Sequence, residues 1–397
     1  MARSTPALVE PSVLRWARES VNLTALAAAR KMALPDDRVE QWELGAATPT
    51  IAQLRKAAEV YKRPLGVFFL SEPPTDFDAM RDFRRHVGAE AGEWSPELHG
   101  EYRRAIAQRN AALELAEIDD APPPTTWRIE PLPGGDEEIA AAARSLLLGR
   151  SPLPLPKGTG TKYEHLNTWV AALEEHGVLV MASSGGRVST TEMRAFSLYY
   201  EVLPVIMVNG SDAARGRLFS LLHEYAHLLL HTSGLCDTIT DAKATDPDRA
   251  LEARCNAIAA AVLMPRDAVL ASPEVADRQA IPEAWDYPAL RDAAAPFGVS
   301  AEAFARRLLI LGRIDQAFYH ARRAEFLETY AREEDQTTAG GNWYRTTARD
   351  LGKGFVRRIA DAHQRRVIDS YTAASFLNVK VDQIARLAEM AALSESA

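Results

Sequence analysis

Cysteine is almost missing from this chain: Cys236 and Cys255 are the only two among 397 residues. Two thiols give no disulfide framework, which excludes the small stapled scaffolds of secreted proteins and suits a reducing cytosol. Long apolar runs are missing too. No stretch approaches the roughly 18 residues that a membrane-spanning helix needs. The first residues, with Arg3, Pro6, Glu10 and Pro11, lack the apolar core of a signal peptide. A cytoplasmic protein with no membrane partner is expected. Nor is there an excess of positive charge, since 46 Lys and Arg against 54 Asp and Glu leave a formal net charge of −8. That excludes a surface coated throughout with nucleic acid, though one basic module fits within it. No internal repeat of useful length occurs. What remains is ordinary globular composition, 47% hydrophobic and 25% charged, in a chain long enough for two or three domains with their own cores.

The chemistry is concentrated at His223-Glu224-Tyr225-Ala226-His227, inside the apolar run Leu218 to Leu230. Two histidines four apart share one helix face, about 6 Å apart along the axis, so both imidazoles reach one metal ion. Glu224 between them then stands beside the ion, where it can take a proton from water. The competing reading is a pair of ordinary core histidines. A catalytic zinc site also needs a third protein ligand and one open position. Glu252-Ala253-Arg254-Cys255-Asn256 begins a second apolar run that Pro265 stops. Glu252 and Asn256 share a face at i and i+4, so Glu252 completes the ligand set while Asn256 hydrogen-bonds a ligating histidine. Read blandly, Glu252 is a solvated glutamate near Asp246 and Asp248. His231 continues the histidine stripe, but lies about 12 Å from His223 along the axis, too far to share an ion with it. Its expected place is the end of the helix, satisfied or capping. Cys255 reads as a small core residue.

The segment Arg217-Leu-Phe-Ser-Leu-Leu-His-Glu-Tyr-Ala-His-Leu, with Glu252-Ala-Arg-Cys-Asn-Ala-Ile-Ala-Ala-Ala-Val-Leu-Met-Pro265, resembles the ImmA/IrrE family of zinc metallopeptidases. Members of that family relieve repression by cleaving a partner repressor. The resemblance implies His223, His227 and Glu252 as ligands of one zinc ion per chain, with Glu224 as general base. Ala226 stands where many relatives have Gly, and Ile258 where Phe is usual. Neither difference touches the chemistry.

Toward the start, apolar spacing predicts short helices around Leu14 and Ala17, then Leu23, Leu26 and Ala29, then Val39, Trp42 and Leu44. The third ends at Gly45, and Pro49-Thr50 opens a fourth. This register resembles the XRE-type helix-turn-helix: Leu23-Thr24 at the first motif helix, Ala29 as its small packed residue, Trp42-Glu43-Leu44-Gly45 at the end of the recognition helix. The stretch Tyr61 to Pro74 resembles a tail found in fusions of that module to ImmA/IrrE domains. DNA reading needs polar side chains at the start of the recognition helix and cations for phosphate. Here Asp36 and Asp37 lie at its start, where they suit capping but repel phosphate, and position 25 is alanine rather than glutamine. Residues 1–70 hold 10 Lys and Arg against 7 Asp and Glu, a balance of +3. Arg30, Lys31, Arg38 and Gln41 are the candidate DNA contacts. The alternative is a module kept for packing or protein recognition.

Arg81-Asp82-Phe83-Arg84-Arg85 precedes a helical stretch from Pro96 to Ile118. Proline clusters at 122–124, 131–133 and 152–156 mark connectors around a short helix, Glu137 to Leu148. Then come a helix at Leu166 to His176, a strand at Gly177 to Met181, a Gly185-Gly186 turn, and strands at Ala195 to Tyr200 and Val205 to Asn209. Past Pro265 the pattern is helical. Phe297-Gly-Val-Ser300 turns into Ala301 to Leu311, and Phe355 to Met390 carries two or three more helices. Ala373 to Lys380 resembles a small helix-turn-helix closing an all-α subdomain.

The whole reads as α+β. Residues 1–74 form an all-α XRE-like helix-turn-helix domain and 75–160 a helical linker region. Residues 161–283 form a zincin-like metallopeptidase core with a small sheet packed on the active-site helix, and 284–397 an all-α C-terminal part. A sheet beside that helix suits an extended polypeptide substrate. The expected function is a zinc endopeptidase in a regulatory protein, cutting a repressor or toxin partner and controlling transcription through operator DNA. The alternative is an antitoxin that neutralises its toxin by binding and represses its own operon, as the resemblance to such fusions implies. Tyr199, Tyr200 and His231 are open candidates for meeting the oxyanion.

Overall fold

The computed structural model describes residues 6–74, 94–149, 162–184, 187–232, 235–236, 246–276, 285–335 and 342–392. The Arg81–Arg85 run, the prolines of 152–156 and the Gly185-Gly186 turn lie outside the described residues. The chain divides into two compact units, 1–106 and 107–397.

The first unit is built of short helices whose ends are written in the sequence. Pro11 opens α1 (Pro11–Glu19), where its missing N–H costs nothing. Thr24 caps α2 (Ala25–Lys31), accepting from the Ala27 N–H at 3.1 Å. A reciprocal Thr50–Gln53 capping box opens α4 (Ile51–Val60). Between them α3 (Arg38–Glu43) is followed by Gly45 at φ +70°. Leu14, Ala17, Ala29, Val39, Trp42, Leu54 and Phe68 close the core. One expectation is corrected. Asp36 and Asp37 do not cap α3: the Asp37 carboxylate takes the Gln41 side chain at 2.7 Å, and Asp36 takes Arg30 at 3.1 Å. A capping residue needs extended backbone to aim its oxygen at the first N–H groups. Asp37, at φ −93° and ψ −6°, is already helical in conformation. The helix α5 (Pro96–Ile118) follows, and the division between the units falls within it.

The second unit is α+β. Helices α6 (Asp136–Leu148) and α7 (Lys162–Glu175) lead into β1 (Leu179–Ala182), β2 (Ala195–Leu198) and β3 (Val205–Val208). After them come α8 (Ala214–Leu229), the two-residue β4 (Leu235–Cys236) and α9 (Asp246–Leu263). The strand order is β1-β3-β2-β4, with β1 parallel to β3 and the other pairs antiparallel. Every residue of β1, β2 and β3 is buried, so the sheet is covered on both faces and its strands read as unbroken apolar runs. Alternation still sorts the side chains. Val180, Ala182, Ala195, Ile206 and Val208 join the core built with α7, α8 and α9. Ser197, two residues on from Ala195, shares that face. Gly177, at φ +95°, turns α7 into β1, and a Cβ there would lie 1.8 Å from the Pro124 carbonyl oxygen. Asn209, wholly buried, ends β3 and donates to the Val188 and Met193 carbonyls, pinning the loop before β2.

The rest of the unit is helical: α10 (Arg266–Ala271), α11 (Pro273–Ala276), α12 (Tyr287–Ala294), α13 (Ala301–Ile310), α14 (Gln316–Asp335), α15 (Trp343–Leu351), α16 (Lys353–Gln364), α17 (Ser370–Leu377) and α18 (Ile384–Ala392). Ser300 caps α13. Arg307 on α13, 2% exposed, donates to the Met264 carbonyl and pairs with Glu137, which fixes the end of α9 against α6. Asn378, at φ +50°, makes the turn between α17 and the short segment before α18. Among the described residues no helix is long and apolar enough to cross a membrane.

Candidate metal centre

Helix α8 runs through the core and is buried nearly all round, Leu218, Leu221, Leu222, Ala226 and Leu228 included. Polar side chains there are expensive unless partnered. His223 and His227 are each 2% exposed and Glu224 is 0%. The two imidazoles leave one face of α8 a helical turn apart, and their Nε2 atoms lie 3.1 Å from each other. Across from them, α9 presents Glu252, whose Oε2 is 3.1 Å from His223 Nε2 and whose Oε1 is 3.2 Å from His227 Nε2. Among the described residues these three form the cluster that could hold a metal ion.

The other ring nitrogens decide whether the centre fits a cation. Asn256, one turn beyond Glu252 on α9, places Oδ1 3.1 Å from His223 Nδ1. That oxygen only accepts, so Nδ1 carries the proton. Thr232 Oγ1 lies 3.1 Å from His227 Nδ1 and donates its own hydrogen to the His227 carbonyl, also at 3.1 Å. Its remaining role toward Nδ1 is acceptor. With Nδ1 the donor on each ring, Nε2 is the atom turned to Glu252: it hydrogen-bonds the carboxylate when protonated and presents a lone pair to a cation when not. Ligands about 2 Å from one zinc in tetrahedral array are roughly 3.3 Å apart. The observed separations match that spacing, and the donor set fits a divalent metal.

Thr232 arrives by a local device. The chain leaves α8 through His231 at φ +57°, with His231 N–H bonded to Leu228 O and Thr232 N–H to His227 O. This left-handed reversal folds Thr232 back under His227. His231 thus sits at the helix end, outside the cluster, with its ring 5.2 Å from that of Tyr199. Tyr200 lies instead under the Arg109 guanidinium, 3.6 Å away.

The charges are strongly coupled. Burial pushes the Glu252 carboxyl upward, but the hydrogen bonds from His223 and His227 outweigh it and hold it at about 2. Burial works against the His223 imidazolium, yet the Glu252 hydrogen bond and the charges of Glu224 and Glu252 raise it on balance. An anionic pocket of this kind favours cations. Burial raises the Cys255 thiol, keeping it neutral in the core.

Glu224 points another way. Its Oε2 accepts from Ser197 Oγ on β2 at 2.7 Å. Its Oε1 is buried and has no hydrogen-bond partner among the described residues. Neither Ser197 nor Thr232 stands out in the sequence as a residue of the centre. The one available signal for Ser197 is a single hydroxyl at an inward position of an apolar strand, and for Thr232 a hydroxyl just past the helix end.

The residues read as DNA contacts belong to the first unit. Arg30 pairs with Asp36, Lys31 lies 3.8 Å from Glu97, and Gln41 donates to Asp37. Arg38 Nε is buried without a hydrogen-bond partner among the described residues.

Residues 173–309 match the Peptidase M78 family model, described as the IrrE N-terminal-like domain. The match runs from the end of α7 into α13 and contains His223, Glu224, His227 and Glu252. It supports the ImmA/IrrE resemblance over those residues and a metallopeptidase-type domain within the chain. No curated protein and no solved structure matches the chain.

Proposed function

We propose that the chain is a zinc-dependent endopeptidase in a regulatory protein, cutting a specific polypeptide partner. The observation that carries this reading is the convergence of His223, His227 and Glu252, with Glu224 next to His223 on the same helix and its buried Oε1 without a hydrogen-bond partner among the described residues. His223, His227 and Glu252 would hold a zinc ion, and the ion would supply Lewis acidity toward water and the scissile carbonyl. Glu224 Oε1 takes the water proton as oxygen attacks the carbonyl carbon. The same carboxyl returns that proton to the amine nitrogen as the C–N bond breaks. Asn256 and Thr232 keep each imidazole in the tautomer that presents Nε2. Of the candidates for meeting the oxyanion, Tyr199 with His231 is favoured, because Tyr200 is covered by Arg109.

The test is metal analysis combined with a peptide library. Purified protein should bind one zinc per chain and cleave a narrow set of peptides. Glu224→Gln should keep the zinc and lose cleavage by about 10²- to 10⁴-fold. Retained cleavage in that variant, or no zinc uptake by the wild type, overturns the reading.

A second role rests on the α2–α3 pair, which supports recognition by a helix-turn-helix module at residues 1–74. In this role Arg30, Lys31, Arg38 and Gln41 meet operator DNA, and toxin neutralisation or repression proceeds by contact. Residues 75–160 serve as linker, 161–283 as peptidase core and 284–397 as a helical subdomain. Neutralisation that survives in Glu224→Gln favours contact; its loss favours cleavage.

A further inference from the structure

We propose that Ser197 is a positioning residue that fixes the orientation of the Glu224 carboxylate. The inference rests on the reading of Glu224 as general base. Ser197 is fully buried at the third position of β2, between Phe196 and Leu198. Its register partner on β3 is Ile206, so the hydroxyl stands in an otherwise apolar patch of the sheet. A hydroxyl in such a place is costly unless it is hydrogen-bonded. The bond it makes is a short one, 2.7 Å to Glu224 Oε2, with a carboxylate as acceptor.

The consequence is asymmetry within one carboxylate. An unrestrained carboxylate exchanges its oxygens by rotation about its terminal torsion, a broad and shallow one. With Oε2 tied to the sheet, rotation is arrested and Oε1 is the oxygen left for the reacting water. In this role Ser197 acts through Glu224. The pairing joins the sheet to α8 across 27 residues of chain, so correct packing of β2 on the helix aims the base.

Three variants test this. Ser197→Ala removes the donor, while Ser197→Thr and Ser197→Val have the same shape and differ only in the hydroxyl. Zinc per chain should stay close to wild type in Ser197→Ala, while the unfolding temperature falls by a few degrees because a buried carboxylate loses a donor. On a peptide selected from the library, its kcat should fall roughly ten- to a hundredfold with KM little changed. Thr should recover activity that Val does not. In crystals of the zinc-loaded protein, the Glu224 carboxylate should hold one orientation in wild type and rotate or spread in Ser197→Ala. An unchanged kcat, equal activity of Thr and Val, or an unmoved carboxylate in Ser197→Ala overturns the proposal. If wild type cleaves no peptide, the hydrolytic reading fails, and the crystal comparison still decides whether Ser197 orients Glu224.

Discussion

The two units treat their polar side chains in opposite ways. In residues 107–397 His223, Glu224 and His227 are buried on one helix, and the two histidines meet the half-buried Glu252 of a second. In residues 1–106 the candidate DNA contacts Arg30, Lys31 and Gln41 lie on the outside, each beside an acid of its own unit. The difference teaches how much a polar contact is worth as evidence. Burying a charge is costly without compensation, so three buried ionisable groups in one helix turn, two of them against a half-buried glutamate, ask for a purpose. Exposed ion pairs contribute little and form wherever long side chains meet. A surface arginine therefore says less about function than a buried histidine.

The contrast can be broken or sharpened at four places. The largest effect is expected inside the first unit, at the part-buried Arg18–Glu43 ion pair. Arg18 grips Glu43 through two bonds of 2.7 Å, with Glu43 8% exposed. Glu43→Ala removes the carboxylate and leaves that guanidinium with the Leu23 carbonyl and Glu19, and should destabilise the unit by about 3 kcal/mol, read as faster hydrogen exchange in α1 and α3. A wild-type exchange pattern would mean that this pair behaves like a surface one.

Next comes Glu174 at the end of α7, which accepts the Gly354 N–H at 2.9 Å. Burial raises its carboxyl from 4.5 to about 7, against the pull of Gly354 and of Arg357, Arg358 and Lys353. Between those two values the folded chain holds a proton that the unfolded chain has released. Stability is therefore full below the unfolded value and falls as pH rises through the folded one, by roughly 3 kcal/mol over the window. Urea unfolding at fixed zinc from pH 4.5 to 8 should show this slope in wild type and a flatter one in Glu174→Gln. Equal slopes would remove Glu174 as its source.

A smaller effect is expected at Asn256. Asn256→Ala frees His223 Nδ1 and should weaken zinc binding about 10- to 100-fold in chelator competition, with the fold intact. Unchanged affinity would leave Asn256 without a part in the centre. The smallest effect belongs to the exposed Arg30–Asp36 pair. Asp36→Ala should leave the melting temperature where it is, and a clear drop would contradict the view that such pairs carry little.

Legibility followed periodicity. His223, Glu224 and His227 are visible because a spacing of four on an apolar helix puts two imidazoles on one face. Glu252 and Asn256 are visible for the same reason on α9. Helix ends at Thr24, Thr50 and Ser300 could be read from capping chemistry, and α5 and α6 from their proline and acidic starts. The α3 start misled, because Asp37 has the composition of a cap but the backbone of a helix. The strand β4 escaped altogether, since two residues carry no alternation and its place comes from pairing with β2. Thr232 depended on a left-handed turn at His231, a conformation that residue type suggests only weakly.

The sequence by itself determined which side chains share a face, because helix and strand geometry is local and repeats at fixed intervals. Only the tertiary structure decided which faces meet: α9 across from α8, and β2 beside it with Ser197 against Glu224. Those encounters depend on packing between segments far apart in the chain, and no local periodicity encodes their distances.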